Sequence, residues 1–154
     1  MSLRQAARPA RAEDLAALVR LHRAATEELR AQKGGTVWAH QTRRDREPSF
    51  ALEDPAELVL VGMIDESVVG YARVVVEALD GGRELAVLTD IYVEPGAREV
   101  GVGEALLDAA IKWARGRGCV GIDSVALPGM RETKNFFESA GMVARAIVVH
   151  RALS

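Results

Sequence analysis

The amino-acid sequence predicts a single α/β domain over residues 1–154, with a central mixed, twisted β-sheet of six to seven strands and helices on both faces. The length of 154 residues, with 49% hydrophobic and 27% charged, favours one globular domain. The apolar residues change period along the chain, from helical spacing near the N-terminus to short Val-rich runs in the middle. Gly-Gly and Pro-Gly pairs separate these segments, which is typical of alternating helices and strands.

The N-terminal third predicts one strand and one long helix. Residues 3–8 can form a short first strand. Over residues 13–31 the apolar positions recur at helical spacing if His22 is counted with them, and the Gly-Gly pair at 34–35 ends the helix. Residues 36–57 are polar and have no clean period, which fits a short helix or a mobile loop.

The middle of the chain predicts an antiparallel meander. Residues 58–64 (LVLVGMI) and 67–79 (SVVGYARVVVEAL) are rich in Val and flank a short turn, so they predict a β-hairpin. A third strand is predicted over 84–93 (ELAVLTDIYV). Pro95 ends it, because proline cannot donate to a central strand ladder.

The second half of the chain begins with a strongly marked helix after Val102. Its polar residues recur every three or four positions along one face, and glycines at 116 and 118 end it. Three elements are predicted to follow it: a strand over 119–127, a helix over about 131–140 and a final strand over 142–153 (MVARAIVVHRAL).

The charge distribution gives no sign of a nucleic-acid partner. The chain carries 20 Lys and Arg against 22 Asp and Glu, a formal net charge of −2. A nucleic-acid-binding domain usually has a basic excess. Two arginine clusters, at 4, 8 and 11 and at 43, 44 and 46, are interpreted as solvated surface charge.

The cysteine and histidine content indicates neither disulfides nor a metal site. Cys119 is the single cysteine, so no intrachain disulfide can form and a reducing compartment is expected. The histidines at 22, 40 and 150 show no metal-ligand spacing, so no metal is expected.

No apolar run has the roughly 20 residues of a membrane helix and no signal peptide opens the chain. The expected location is therefore cytoplasmic, with no membrane partner.

A glycine-rich loop precedes the long helix, in the stretch EPGAREVGVGEALLDAAIKWA at 94–114. A nucleotide-hydrolysing P-loop requires Lys-Ser/Thr where Val102 and Gly103 stand, and a dinucleotide fingerprint requires a third glycine that is missing. The pattern R-x-x-G-x-G fits, as Arg98-Glu-Val-Gly101-Val-Gly103. The first N–H groups of a helix have no intrahelical partner and lie at the positive end of its dipole. Such a loop can therefore bind a pyrophosphate, with Arg98 adding charge.

Three segments together resemble the GNAT superfamily of acyl-CoA-dependent N-acetyltransferases. They are the strand LTDIYV, the loop and helix EPGAREVGVGEALLDAA, and the helix NFFESAGM. The order of predicted elements is also that of the family, so the resemblance covers nearly the whole chain and implies a GNAT-like fold. The resemblance implies that acetyl-CoA is the cosubstrate. Its pantetheine arm would lie along the strand, its pyrophosphate would bind to the loop, and the last helix would also contact the cofactor. The implied cofactor-binding residues are Ile91, Tyr92, Val93, Arg98, Glu99, Val100, Gly101, Val102, Gly103 and Asn135.

The sequence departs from the family pattern at two positions. Glu99 replaces the first glycine of the usual loop; its backbone N–H is kept, but its carboxylate has to point away from a bound diphosphate. Phe137 occupies the position at which many members have a tyrosine that protonates the departing thiolate. General acid catalysis contributes about 10²–10⁴-fold, so its loss would slow turnover rather than abolish it.

The resemblance implies transfer of an acetyl group from acetyl-CoA to a primary amine by direct attack. A lysine-type amine, with a pKa near 10.4, needs a base at neutral pH. Asp90 is the candidate base, with Glu84 and His150 as weaker candidates. The alternative function is an acyl-CoA-binding sensor that turns over weakly, which the residues at 99 and 137 favour. The sequence does not identify the acceptor amine, and it leaves monomer and homodimer open.

Overall fold

A computed structural model describes residues 4–154 of the chain. Its β-sheet has five strands in the order β1-β2-β3-β4-β5. The first four strands are antiparallel to their neighbours, and β5 runs parallel to β4. The strands are β1 (Gln5–Pro9), β2 (Glu57–Ile64), β3 (Ser67–Ala78), β4 (Glu84–Val93) and β5 (Ile122–Asp123). The predicted mixed α/β class is confirmed, with five strands in the sheet.

Four α-helices within residues 4–154 cover both faces of the sheet; three of them pack on it, and the second packs against the first. One face carries α1, which packs Leu18 and Leu21 against Val61 and Tyr71 in a first core cluster. The other face carries α3 and α4, whose apolar side chains form a second core cluster with residues of β2, β3 and β4. The helices are α1 (Leu15–Arg30), α2 (Gly35–Gln41), α3 (Val102–Arg117) and α4 (Arg131–Ser139).

Strand β4 carries a β-bulge and then separates from β5. Arg73 of β3 pairs with Asp90, whereas the next residue of β3 pairs with Leu88, so Thr89 is an extra residue on β4. On its other side β4 pairs with β5 only through Ala86 and Val87. The last part of β4 is therefore hydrogen-bonded to β3 alone, which leaves one side of its backbone accessible.

The last part of the chain differs from the sequence prediction. The strand predicted over 119–127 is confined to two residues, and residues 143–154 contain no helix or strand. Helix α3 also runs through Gly116 and ends at Gly118, which has a φ of 82° and can close the helix without steric strain. None of the helices within residues 4–154 is long and apolar enough to cross a membrane.

Candidate active site

A cavity of about 1120 Å³ lies beside the part of β4 that has separated from β5. Residues of α1, β3, β4, the loop at 94–101 and α4 line its walls. Its position follows from the bulge, because the extra residue in β4 moves the end of that strand away from the sheet edge. The predicted strand, loop and helix segments thus meet around one space.

The start of α3 presents free backbone donors to this cavity. Gly101 precedes the helix with a φ of 95°, a conformation that favours glycine, and no side chain caps the helix. Gly103 lies in the first turn, where an added Cβ would be 3.5 Å from the ring of Phe136. Both glycines line the cavity. This helix end has the uncapped N–H groups and the positive dipole end that an anion requires.

Arg98 is held by groups at the end of β4 and on α1. Its Nε donates a 2.8 Å hydrogen bond to the carbonyl of Val93, and its Nη2 binds both carboxylate oxygens of Glu28 at 2.9 and 3.0 Å. The guanidinium also lies 5.4 Å from the ring centre of Tyr92. Arg98 therefore links the loop to α1 across the mouth of the cavity.

The loop residue that replaces the family glycine has a strained backbone. Glu99 has a φ of 67°, in the left-handed region that residues with a Cβ rarely adopt. Its side chain is exposed, at the edge of the cavity. The glycine that is usual in the family would adopt this conformation without strain.

Helix α4 contributes the far wall of the cavity. Asn135 is exposed, whereas Phe137 is only 7% exposed and packs in the second core cluster. The rings of Phe136 and Phe137 lie 5.6 Å apart. All three side chains line the cavity, and neither ring supplies a proton donor.

Four polar side chains form a buried cluster at the bulge, on the α1 side of the sheet. The Asp90 carboxylate forms an ion pair with Arg44 Nη2 at 2.8 Å and accepts a hydrogen bond from the Tyr71 hydroxyl. His22 Nε2 lies 3.9 Å from the same carboxylate oxygen. Asp90 is 7% exposed and Arg44 8% exposed, so the pair is largely removed from water. Arg44 also donates a 3.2 Å hydrogen bond to the carbonyl of the bulged Thr89.

The protonation of this cluster follows from its contacts. Burial would raise the pKa of Asp90, but Arg44 and the Tyr71 hydroxyl outweigh it, and the pKa lies below its ordinary value. Burial lowers the pKa of His22, and the positive charge of Arg44 lowers it further. The negative charge of Asp90 raises it, but the pKa remains below its ordinary value. The cluster at neutral pH therefore contains an ionised Asp90 and a neutral His22.

The structure brings most of the predicted site residues to one cavity. Two of the loop residues lie elsewhere: Val100 is exposed and Val102 is buried in the core. The weaker base candidates also lie outside it, since Glu84 pairs with Arg117 on the surface and His150 is exposed. The predicted residues that line the cavity are Asp90, Ile91, Tyr92, Val93, Arg98, Glu99, Gly101, Gly103, Asn135 and Phe137.

Of the four members of the buried cluster, the sequence pointed only to Asp90, and Tyr71, Arg44 and His22 were missed. Arg44 was interpreted as solvated charge, which is wrong, because it is buried against Asp90. An arginine run gives no sign that one member turns inward. His22 was counted with the apolar face of the first helix, and a histidine on such a face was the available signal.

The family model for the acetyltransferase (GNAT) family matches residues 15–142. This chain therefore belongs to the acetyltransferase (GNAT) family, and the predicted resemblance is confirmed. Aminoglycoside N(6')-acetyltransferase type 1 from Klebsiella aerogenes is 37% identical over 90 residues. That match covers 55% of this chain and 58% of the relative, so it spans little more than half of the relative's length.

Solved structures share the fold over almost the whole chain. Aminoglycoside N-acetyltransferase AAC(6')-Iy in complex with CoA has a TM-score of 0.72 at 17% identity, covering 100% of this chain and 98% of that chain. A transcriptional regulator from Bacillus halodurans has a TM-score of 0.71 at 20% identity, covering 97% and 100%. Glucosamine-6-phosphate N-acetyltransferase from Arabidopsis thaliana has a TM-score of 0.67 at 15% identity, covering 98% and 99%. At these identities the likeness shows the fold alone.

Proposed function

We propose that this protein transfers an acetyl group from acetyl-CoA to a primary amine by direct attack of the amine on the thioester. The observation that carries the proposal is that the uncapped start of α3, the accessible side of β4 and the Asp90 cluster share one cavity. In this proposal the shared cavity lets a diphosphate site and a proton acceptor serve the same thioester. The family membership and the fold neighbour bound to CoA support the choice of donor.

The donor would be bound mainly by backbone groups. In this proposal the diphosphate lies on the loop from Arg98 to Gly103, and the pantetheine arm lies along Ile91 to Val93, where β4 has no neighbour on one side. Glycine at 103 fits this role, since it keeps side-chain atoms away from the helix start. Asn135 lines the opposite wall and is the candidate side-chain donor to the cofactor.

His22 and Asp90 would deprotonate the amine together. Asp90 is a weak base at neutral pH because its pKa is lowered, and Arg44 and Tyr71 already engage its oxygens. His22 is neutral and lines the cavity, so it can take a proton from the attacking amine. The charge of Asp90, 3.9 Å away, then stabilises the imidazolium. Asp90 is thus proposed as the residue that supports the base, and His22 as the base.

The thiolate would leave without the usual tyrosine. A thiol pKa near 8.5 makes the thiolate a fair leaving group, so a strong acid is not required. Tyr92 lines the cavity, and burial together with Glu28 raises its pKa, so it keeps its proton at neutral pH. We assign Tyr92 as the donor in place of a residue at position 137. Tyr92→Phe should lower kcat with less effect on KM.

The test is release of free thiol from acetyl-CoA over a panel of amines. Aminoglycosides come first, because the Klebsiella relative carries that name, followed by polyamines, amino sugars and peptide amines. A reaction without amine corrects for hydrolysis, and His22→Gln serves as the slow control. Amine-dependent release that falls at least about tenfold in His22→Gln supports the proposal. Binding of acetyl-CoA with no release for any amine would favour the alternative, an acyl-CoA sensor.

A further inference from the structure

The cavity beside β4 extends past the Asp90 cluster along the α1 face of the sheet. Positions 73 and 75 of β3 lie on the same face as Tyr71, which packs against α1, because side chains alternate along a strand. Val75 pairs with Val87 of β4, so Val87 shares that face. Helix α2 contributes Trp38 to the wall. We name this extension the α2 trough; its lining residues are Trp38, Thr42, Arg73, Val75 and Val87.

The α2 trough has an apolar floor and wall that the rest of the fold leaves partly uncovered. Val75, Val87 and Trp38 are each half-buried. Within residues 4–154 none of the three belongs to either core cluster. Aliphatic and aromatic side chains that border a cavity are the usual contacts of the apolar part of a small ligand. The trough therefore fits the apolar body of a ligand.

The charged side chains around the α2 trough are already paired. Among residues 4–154, Glu28 and Asp90 supply the carboxylates that line the cavity from α1, α2, β3 and β4, and the others lie on the loop, α3 and α4 at the proposed cofactor side. The pairs beside the trough are Arg44–Asp90, Arg73–Glu57 and Arg98–Glu28. A polycationic ligand needs unpaired carboxylates and an anionic ligand needs unpaired arginines, so the trough favours neither.

The α2 trough lies within reach of the proposed base. Arg73 pairs with Asp90 across β3 and β4, and His22 Nε2 is 3.9 Å from the Asp90 carboxylate. Val87 precedes Asp90 by three positions, so it lies roughly 10 Å away along β4 at about 3.3 Å per residue. An aromatic ring joined to an amine by a short alkyl linker has a comparable length. Its nitrogen can therefore lie at His22 while its ring lies over the trough floor.

We propose that the acceptor is an arylalkylamine, a primary amine joined to one aromatic ring by a short alkyl linker and carrying no second charge. The ring contacts Val75, Val87 and Trp38, which line the trough, and the nitrogen lies beside His22. Contact between the ring and the indole of Trp38 adds to the burial of apolar surface. This substrate class rests on the proposed acetyl transfer. It differs from the aminoglycosides named in two of the related proteins.

Rates of thiol release with matched amines test the substrate class. Phenethylamine and tryptamine carry the ring, ethylamine lacks it, and spermidine and kanamycin are polycations. At saturating acetyl-CoA, we expect kcat/KM for the two arylalkylamines to exceed that for the other amines by at least about tenfold. An equal or higher kcat/KM for ethylamine, spermidine or kanamycin would overturn the substrate class and leave the proposed acetyl transfer standing. No release with any amine would overturn both.

Trp38→Ala tests whether the ring lies in the α2 trough. It should raise KM for phenethylamine by roughly tenfold or more and change kcat less, because the lost contact lies away from the reacting atoms. KM for ethylamine, which does not reach Trp38, should stay unchanged. Trp38→Phe keeps an aromatic ring and should restore KM to within about threefold of the wild-type value. Val37→Ala is the matched control, since Val37 lies on α2, is exposed and does not line the cavity.

A second variant changes the floor of the trough. Val87→Thr keeps the branched shape, puts a hydroxyl group under the ring and should raise KM for phenethylamine by about threefold or more. Thermal unfolding and CoA affinity, which should equal the wild-type values, show that each variant is folded. Folded Trp38→Ala and Val87→Thr variants with the wild-type KM for phenethylamine would overturn ring binding in the trough. An equal rise of KM for ethylamine would overturn it too.

Discussion

At Asp90 two effects of opposite sign act on one carboxyl group. Burial of a charge costs several kcal/mol, and it would favour the protonated form. The guanidinium of Arg44 at 2.8 Å and the Tyr71 hydroxyl favour the ionised form, and they outweigh burial. The neighbouring His22 is also buried, and there the cost of charging dominates, so it stays neutral. One small volume thus holds a fixed anion and a neutral base.

His22 makes stability depend on pH. Burial lowers the pKa of His22 in the folded state below its ordinary value of 6.5. Asp90 raises this pKa, whereas Arg44 and Arg73 lower it further. The unfolded chain therefore binds more protons below about pH 6.5, and the wild-type protein should lose stability as pH falls, by up to about 1.4 kcal/mol per pH unit. His22→Gln should have a smaller slope between pH 6.5 and 5.

Urea unfolding at several pH values measures this slope. His150→Gln is the matched control, because His150 is exposed and lies outside the cluster. Its slope should equal that of the wild-type protein. If His22→Gln and the wild-type protein lose stability in parallel, His22 does not titrate in the way that its surroundings require.

Glu99 combines backbone strain with an unfavourable charge at the proposed diphosphate site. Glu99→Gln removes the charge and keeps the strain, whereas Glu99→Gly removes both. Each should tighten CoA binding by roughly fivefold, which corresponds to about 1 kcal/mol, because a carboxylate near a diphosphate is repelled. Calorimetry at low salt measures the effect, and it should shrink at 1 M salt, where charges are screened. Unchanged affinity in both variants would place the diphosphate away from residue 99.

At the scale of elements, the bulge in β4 and the start of α3 create the site together. The bulge separates β4 from β5, and the helix places its free N–H groups beside the gap. Close packing holds α3 in this position: a Cβ added at Gly62 of β2 would lie 2.6 Å from Val102 and 3.0 Å from Leu106. The first turn of α3 thus lies directly on the sheet.

Gly62→Ala tests this packing. The added methyl group has to displace the side chains of Val102 and Leu106 or the first turn of α3 that carries them, so we expect a loss of about 1–3 kcal/mol in the free energy of unfolding, together with weaker CoA binding. Gly121→Ala is the control, since its nearest neighbour is a side-chain atom at 3.8 Å. Chemical unfolding measures both. A Gly62→Ala variant as stable as Gly121→Ala would show that β2 and α3 do not pack this closely.

The sequence predicted the helices and strands that have strong local signals. It did not predict the features that depend on contacts with distant parts of the chain. The meander and the helix from Val102 are recovered almost to the residue, because their apolar periods and turn residues are local. The glycine loop was recognised because backbone N–H groups at a helix start can bind an anion, and the glycine spacing that exposes them is visible in the sequence. Arg44 was misinterpreted because its burial depends on Asp90, which is distant in sequence. The strand predicted over 142–153 does not form within residues 4–154, because a strand also depends on pairing with a neighbour, which periodicity does not report.

At the scale of the whole molecule, the two faces of the sheet have different proposed roles. Side chains on the α1 face form the proposed acceptor side, with His22, Asp90 and Tyr92. The α3 face supplies the core and the proposed diphosphate site. Residues from both faces line the cavity where the sheet opens, and in the proposed reaction the donor and the acceptor approach from these two sides.

The proposed function requires above all that the first turn of α3 binds a diphosphate. The most direct test is calorimetric titration of CoA into the wild-type protein and into Gly103→Leu, with Gly116→Leu as control. Both glycines lie on α3, but Gly103 faces the cavity and Gly116 has open space around it. We expect the wild-type protein and Gly116→Leu to bind CoA alike, and Gly103→Leu to bind at least about tenfold more weakly while thermal unfolding shows that it is folded. A wild-type protein without affinity for CoA, or a Gly103→Leu variant that binds as tightly as the wild-type protein, would contradict diphosphate binding by the first turn of α3.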